Sequence, residues 1–129
     1  MNRTCLIGIG TAVPDHTLHQ ADAAMFNLSP NDDRIVQALY RRAGVKARSS
    51  VLADREGRLR FYNPELKIPS TAIRMRVYEQ HAGALAARAC REALQRADTS
   101  PTQITHLITV SCTGFAAPGV DLELIRVLG

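Results

Sequence analysis

The chain is poor in features that define several common protein classes. It has no tryptophan, and only 5% of its 129 residues are aromatic, so surfaces on which nucleic-acid bases could stack are scarce. Its three cysteines, Cys5, Cys90 and Cys112, are odd in number and widely spaced. They therefore predict neither a disulfide framework nor a zinc site. Reduced thiols of this kind are typical of a cytoplasmic protein.

Long apolar runs and long charged runs are missing as well. No apolar stretch approaches the roughly 20 residues of a membrane-spanning helix. The short run after Arg3 contains two glycines and lacks the cleavage site of a signal peptide. The net charge of +4 comes from scattered lysines and arginines, with no run longer than the pair Arg41 and Arg42. This dispersion disfavours nucleic acid and membrane as partners, and leaves plain solvation or an anionic, phosphate-bearing substrate.

The elements that are present alternate between strand and helix patterns. Thr4 to Ala12 and Thr105 to Cys112 are apolar without strict alternation, which predicts strands buried on both faces of a parallel sheet. Val45 to Leu52 also has strand character. Helices are predicted over Leu18 to Leu28, Arg34 to Ala43, Ser70 or Thr71 to Ala97, and from Asp121 onward. The order indicates one layered α/β domain, and two central strands are few enough that its sheet looks unfinished.

Several small residues carry specific expectations. Gly44 follows a helix where a C-terminal cap glycine belongs. Gly83 interrupts the long helix and predicts close approach of another segment. One face of that helix is an apolar stripe rich in alanine, which suits close packing. The stripe consists of Met75, Tyr78, Ala82, Leu85, Ala89 and Ala93.

The two glycines of the first predicted strand have two interpretations. Gly8 to Thr11 resembles the opening of a dinucleotide-binding fingerprint, but the third glycine is missing and Pro14 stands where a helix should begin. We therefore interpret Gly8 and Gly10 as small residues required for close packing.

Cys112 is the most conspicuous candidate for chemistry, because it ends a predicted strand in front of a glycine-bearing loop. A nucleophilic cysteine needs a base, and the nearest histidine in sequence is His106. Six residues of strand separate them by about 20 Å, at roughly 3.3 Å per residue. The residues alone therefore favour a small buried thiol over a nucleophile. His16 and His19 are not accompanied by further ligands at metal-site spacing.

Three stretches together resemble a known enzyme family. Ile104 to Gly129 reads ITHLITVSCTGFAAPGVDLELIRVLG, Ile7 to Pro14 reads IGIGTAVP, and Leu39 to Arg48 reads LYRRAGVKAR. In register, they resemble the bacterial type III polyketide synthases of the chalcone and stilbene synthase superfamily. The two end motifs are specific, whereas the middle is less so.

The resemblance implies a thiolase-like α/β fold, of which residues 1–129 would form a partial N-terminal domain, an incomplete N-terminal half. It implies an acyltransferase that extends acyl-CoA starters with malonyl-CoA by decarboxylative condensation, works as a homodimer and needs no metal or flavin. The family's cysteine nucleophile corresponds to a position after Gly129, and its histidine and asparagine lie further on. The resemblance therefore assigns no catalytic residue to this chain, which we expect to be inactive alone.

Four positions acquire expected roles by this resemblance. Cys112 and Thr113 match residues that line the acyl cavity, where side-chain volume tunes starter choice and chain length. Ala117 matches the residue that reaches across the dimer interface into the partner's cavity. Arg42 matches a basic residue at the mouth of the CoA tunnel, where a cation meets CoA phosphates. Ala38 departs from the family, because plant members carry a second cation there.

Two other interpretations remain open at the level of sequence. A ketoacyl synthase III or related condensing enzyme would share the fold, although the stretch from Cys112 to Gly119 fits the polyketide branch better. A non-catalytic truncated product, or a fragment that pairs with another chain, would expose the edge of an incomplete sheet.

Overall fold

The computed structural model describes residues 3–20, 33–55 and 69–129 of the chain. Its contacts divide into two compact units. One comprises Met1–Ala12 and Ala72–Gly129, and the other comprises Val13–Thr71. We call them the helical unit and the hairpin unit and describe each by itself.

The described residues form three α-helices, two short strands and a 3-10 turn. The strands are β1 (Thr17–His19) and β2 (Ala47–Ser49). The helices are α1 (Asp33–Arg42), α2 (Thr71–Arg96) and α3 (Val120–Leu128), and the 3-10 turn covers Pro101–Gln103.

The hairpin unit is built on the antiparallel pair β1 and β2. Leu18 lies opposite Arg48, and backbone bonds extend the pairing at both ends, from Gln20 N to Lys46 O and from Ser50 N to His16 O, each 2.9 Å long. Leu18 and Ala53 are buried. Between α1 and β2, Gly44 has φ +67°, a left-handed conformation that glycine adopts without a steric penalty, as expected for a helix cap.

The helical unit is organised around the alanine-rich face of α2. The extended N-terminal segment crosses this face at two glycines. A methyl group built on Gly8 would lie 2.6 Å from Ala93 O and 2.9 Å from Ala97 Cβ, and one built on Gly10 would collide with the backbone of Ala89 and Ala93. The predicted need for small residues at Gly8 and Gly10 is therefore confirmed.

Two charged side chains of α2 fasten the same segment through its backbone. Glu92 Oε2 accepts a 2.6 Å hydrogen bond from Thr11 N, and Arg96 donates a 3.0 Å hydrogen bond to Ile9 O. Glu92 and Arg96 also form an ion pair at 2.6 Å. Because both side chains are partly solvated, the pair itself contributes only about 0.3–0.5 kcal/mol. The main role of the two residues is to fix the position of the N-terminal segment along α2.

In α3, Leu124 is buried at 3% exposure, and the neighbouring Glu123 brings its carboxylate against the bare Cα of Gly83 in α2. The close approach predicted at Gly83 is confirmed. Helix α2 ends at Arg96, Asp98 follows it with φ +48°, and Thr99 N donates to Leu94 O at 3.0 Å. This is the capping geometry of a left-handed terminal residue, here supplied by aspartate instead of glycine.

The helix predictions for α1, α2 and α3 are confirmed, and the strand prediction for Val45 to Leu52 is confirmed over Ala47–Ser49. The helix predicted over Leu18 to Leu28 is wrong at its start, because Leu18 and His19 belong to β1. Its residues 21–28 lie outside the described residues, as do the rest of 21–32 and residues 56–68. Among those described, no helix has the length and apolar character to cross a membrane.

The prediction of two buried strands is wrong. Among the described residues, Thr4 to Ala12 and Thr105 to Cys112 are not paired in a sheet, and the strands that do pair are antiparallel. Leu6 is 79% exposed, Ile108 85% and Val110 92%. A strand is defined by hydrogen bonds to a neighbour. Within the described part of the chain these two segments have no such neighbour, so their apolar side chains remain exposed.

The same methyl group added at two glycines of the helical unit should have opposite consequences. Gly10→Ala would press against backbone atoms that cannot move aside, so we expect a loss of about 1–3 kcal/mol in the free energy of unfolding. Gly83→Ala meets only the flexible end of Glu123 and gains about 1 kcal/mol of helix propensity, so no loss is expected. Urea denaturation of both variants measures the difference, and equal losses would contradict the packing described here.

Candidate functional site

The stretch that carries the strongest family signal forms a loop, Thr113 to Gly119, between an extended segment and α3. Ser111 Oγ accepts hydrogen bonds from Thr113 N at 3.4 Å and from Gly114 N at 3.3 Å. These bonds form a local turn in which a serine hydroxyl satisfies two backbone donors. The loop continues through a cis peptide bond between Ala117 and Pro118 to Gly119, the N-cap of α3.

The three candidate residues of this loop present their side chains to solvent. Cys112, Thr113 and Ala117 are all exposed, and Cys112 Sγ lies 3.9 Å from Thr113 Oγ1. The expectation of a buried Cys112 thiol is therefore wrong for the described part of the chain. Exposure is what a surface that contacts another molecule or another part of a protein requires.

The geometry gives Cys112 no imidazole partner in His106. His106 Nδ1 lies 2.9 Å from Thr105 Oγ1, whereas the sulfur of Cys112 contacts the hydroxyl of Thr113. A cysteine nucleophile needs an adjacent base. The arrangement supports the interpretation, reached from strand geometry, that these two residues do not form a catalytic pair.

Arg42 belongs to the hairpin unit and is the last residue of α1. Its side chain is exposed, as are those of Arg41, Lys46 and Arg48. A cation in the last turn of a helix is stabilised by the negative end of the helix dipole, and an exposed guanidinium has its donors available to a phosphate. Cys112, by contrast, belongs to the helical unit.

The described residues contain no group of three or more histidine, cysteine or carboxylate side chains that could hold a metal ion. His19 lies in β1 opposite Ala47 of β2, and His16 precedes β1, where its carbonyl accepts a hydrogen bond from Ser50 N. The three cysteines are all free thiols.

A cavity of about 250 Å³ in the helical unit is separate from the candidate loop. Its wall is mainly apolar and includes none of the candidate site residues. It is lined by Leu94, Pro101, Ile104, Thr105, His106, Leu107, Leu124, Ile125, Leu128 and Gly129.

One contact of the loop is not predicted by the sequence. The pattern places Tyr78 only in the apolar stripe of α2, yet its ring lies directly against Gly114. The available signal was a glycine inside the loop together with an aromatic residue on the packing face of the long helix. Sequence alone could not show that these two residues meet.

The sequence profile of the N-terminal domain of chalcone and stilbene synthases matches residues 2–129. The chain belongs to this family. The assignment confirms the resemblance carried by the motifs at the two ends of the sequence.

Named relatives agree with the assignment. The chain is 28% identical to a type III polyketide synthase of Penicillium soppii over 130 residues, covering 96% of this chain and 31% of that protein. It is 31% identical to the 1,3,6,8-tetrahydroxynaphthalene synthase of Streptomyces griseus over 122 residues, covering 92% and 31%. A type III pentaketide synthase from Neurospora crassa superposes with a TM-score of 0.78 at 27% identity, covering 96% and 33%. The chain thus spans about a third of the length of these relatives and corresponds to their N-terminal portion.

The exposure of the thiols predicts their order of reactivity. Cys5 and Cys112 are exposed and Cys90 is half-buried within α2. Brief treatment of the folded chain with iodoacetamide should therefore alkylate Cys5 and Cys112 several-fold faster than Cys90, because the reagent reaches an exposed thiol more readily than a half-buried one. Peptide mass mapping resolves the three sites, and denatured chain serves as the control in which all three react alike. Protection of Cys112 equal to that of Cys90 would contradict the exposed loop.

Proposed function

We propose that this chain is the N-terminal part of an acyltransferase that condenses acyl-CoA starters with malonyl-CoA to make polyketides. The observation that carries the proposal is the match of the N-terminal-domain profile to residues 2–129. The similarity to type III polyketide synthases along nearly the whole chain supports it. In this proposal residues 1–129 form a partial thiolase-like domain, the incomplete N-terminal half of the fold.

The chain contributes surfaces to the reaction and leaves the bond-forming chemistry to residues outside it. Condensation requires a nucleophile and a base, and in this proposal both correspond to positions after Gly129. The role that remains is to shape the cavity in which the acyl chain grows. Cys112 and Thr113 are suited to this because their small side chains are exposed on a loop whose turn is held by Ser111.

The expected dimer contact is Ala117, which is exposed on the same loop. A methyl side chain reaches less far than the methionine common in plant members, so a homodimer built through this loop would leave more room in the partner's cavity. A large cavity is compatible with long or multi-ring products.

The free thiols support a cytoplasmic location.

Arg42 is the proposed contact for CoA phosphate. It is exposed at the end of α1, and its neighbours Arg41, Lys46 and Arg48 add positive charge to the same stretch of chain. A guanidinium pairs with phosphate through charge-assisted, often bidentate hydrogen bonds. With Ala38 in place of the second cation of plant members, Arg42 carries a larger share of phosphate recognition.

The chain alone should be inert, and a chimera should be active. Incubation of residues 1–129 with malonyl-CoA and fatty acyl-CoAs should yield no pyrone or resorcinol, because the nucleophile and base are lacking. Residues 1–129 should restore malonyl-CoA-dependent product formation when they replace the matching third of the Streptomyces griseus synthase.

Product formation is followed by chromatography and mass spectrometry. The synthase lacking its N-terminal third is the negative control. Products from the isolated chain, or a folded dimeric chimera that consumes no malonyl-CoA, would refute the proposed function.

Arg42→Gln should weaken CoA binding by about tenfold, since a hydrogen bond to a charged group is worth roughly 1.5–3 kcal/mol and solvent reduces that value at an exposed site. Calorimetric titration of the chimera with CoA measures the change. Arg41→Gln is the matched control, because it removes the same charge from the neighbouring exposed position. Equal weakening by both substitutions would indicate general electrostatic attraction and would remove Arg42 from the site.

A further inference from the structure

Gly114 is the residue at which the loop Thr113 to Gly119 contacts helix α2. A methyl group built on it would lie 2.6 Å from Cγ, 2.9 Å from Cδ2 and 3.0 Å from Cβ of Tyr78. The backbone of the loop therefore lies flush against this aromatic ring. Gly114 is half-buried, whereas its neighbours Thr113 and Phe115 are exposed. The loop is held down at one residue while the side chains on both sides project outward.

The hydrogen bonds of the loop do not by themselves place it on the helix. The two bonds accepted by Ser111 Oγ come from Thr113 and Gly114 and close the loop on itself. They make the turn from Ser111 to Gly114 a unit whose shape is fixed locally. The ring of Tyr78 then fixes where this unit lies relative to α2.

We propose that Tyr78 is a positioning residue that sets the location of Cys112 and Thr113, and through them the volume available to the growing acyl chain. The inference rests on the proposed function, because it takes these two residues to be the cavity wall. Cys112 is only two residues from the contact, a span of at most about 7 Å of chain. Because the turn from Ser111 to Gly114 is held by its own hydrogen bonds, a displacement of Gly114 moves Cys112 by a similar distance.

Two substitutions at this contact act in opposite directions. Tyr78→Leu removes the flat ring and lets Gly114 settle toward α2. Gly114→Ala adds a methyl group with no room to occupy and pushes the loop away from α2. If the contact sets the cavity wall, the two variants shift the distribution of product chain lengths in opposite directions. General destabilisation would lower the yield of both without this opposition.

The contact itself is measurable in the 129-residue chain by nuclear magnetic resonance. A glycine lying on an aromatic face has its Hα signals shifted upfield by the ring current. We expect this shift for Gly114 in the parent and in Tyr78→Phe, which keeps the ring, and its loss in Tyr78→Leu. Tyr40→Leu, which removes a half-buried tyrosine of α1 in the hairpin unit, is the matched control and should leave the Gly114 signals in place.

The functional arm uses the chimera with the Streptomyces griseus synthase. Tyr78→Phe should retain the parent product distribution, while Tyr78→Leu and Gly114→Ala should shift it to opposite sides. Unshifted Gly114 signals in the parent would overturn the inference whatever the enzyme does. Unchanged product lengths in active chimeras would overturn it while the proposed function stands. A folded chimera without any malonyl-CoA-dependent activity would remove the proposed function, and this inference with it.

Discussion

The arrangement of the helical unit depends on contact at van der Waals distance between backbone and the surface of α2. Gly8 and Gly10 lie against the backbone of α2 at Ala89 and Ala93, and α2 offers its own Gly83 to the Glu123 carboxylate of α3. At each of these positions a β-carbon would occupy space already filled. Two of the segments reach α2 where alanine or glycine leaves its surface bare, and the loop reaches it at the ring of Tyr78.

Polar interactions give this close packing a unique register. A face of alanines is smooth and would allow an extended segment to slide along it. Glu92 and Arg96 prevent sliding, since one accepts from Thr11 N and the other donates to Ile9 O. Extended backbone without a sheet neighbour has unsatisfied donors and acceptors, so these two side chains also provide partners that a strand would otherwise supply.

The exposed apolar side chains of the two extended segments have a simple physical interpretation within the family. The chain spans about a third of the length of the relatives it matches. In an α/β layered fold, central strands acquire their burial from neighbouring strands and from the layers that cover the sheet. Thr105 to Cys112 has the apolar composition of such a strand. Its side chains are exposed because the described residues do not supply the neighbouring strands and layers that would cover it. The apolar pattern of this segment therefore corresponds to a buried environment that the described residues do not provide by themselves.

The sequence by itself determined helices α1, α2 and α3 and the family. Periodicity, the glycine cap at Gly44 and the motif around Cys112 are local signals, and each was sufficient for its conclusion. The sequence also indicated that Gly8, Gly10 and Gly83 serve close packing, because a missing side chain in an ordered element implies a near neighbour. Only the tertiary structure decided which neighbour each glycine meets, that Tyr78 contacts the loop at Gly114, and that neither extended segment is paired with another strand in the described part of the chain. Those facts depend on residues far apart in the chain, and local sequence patterns carry no information about such pairings.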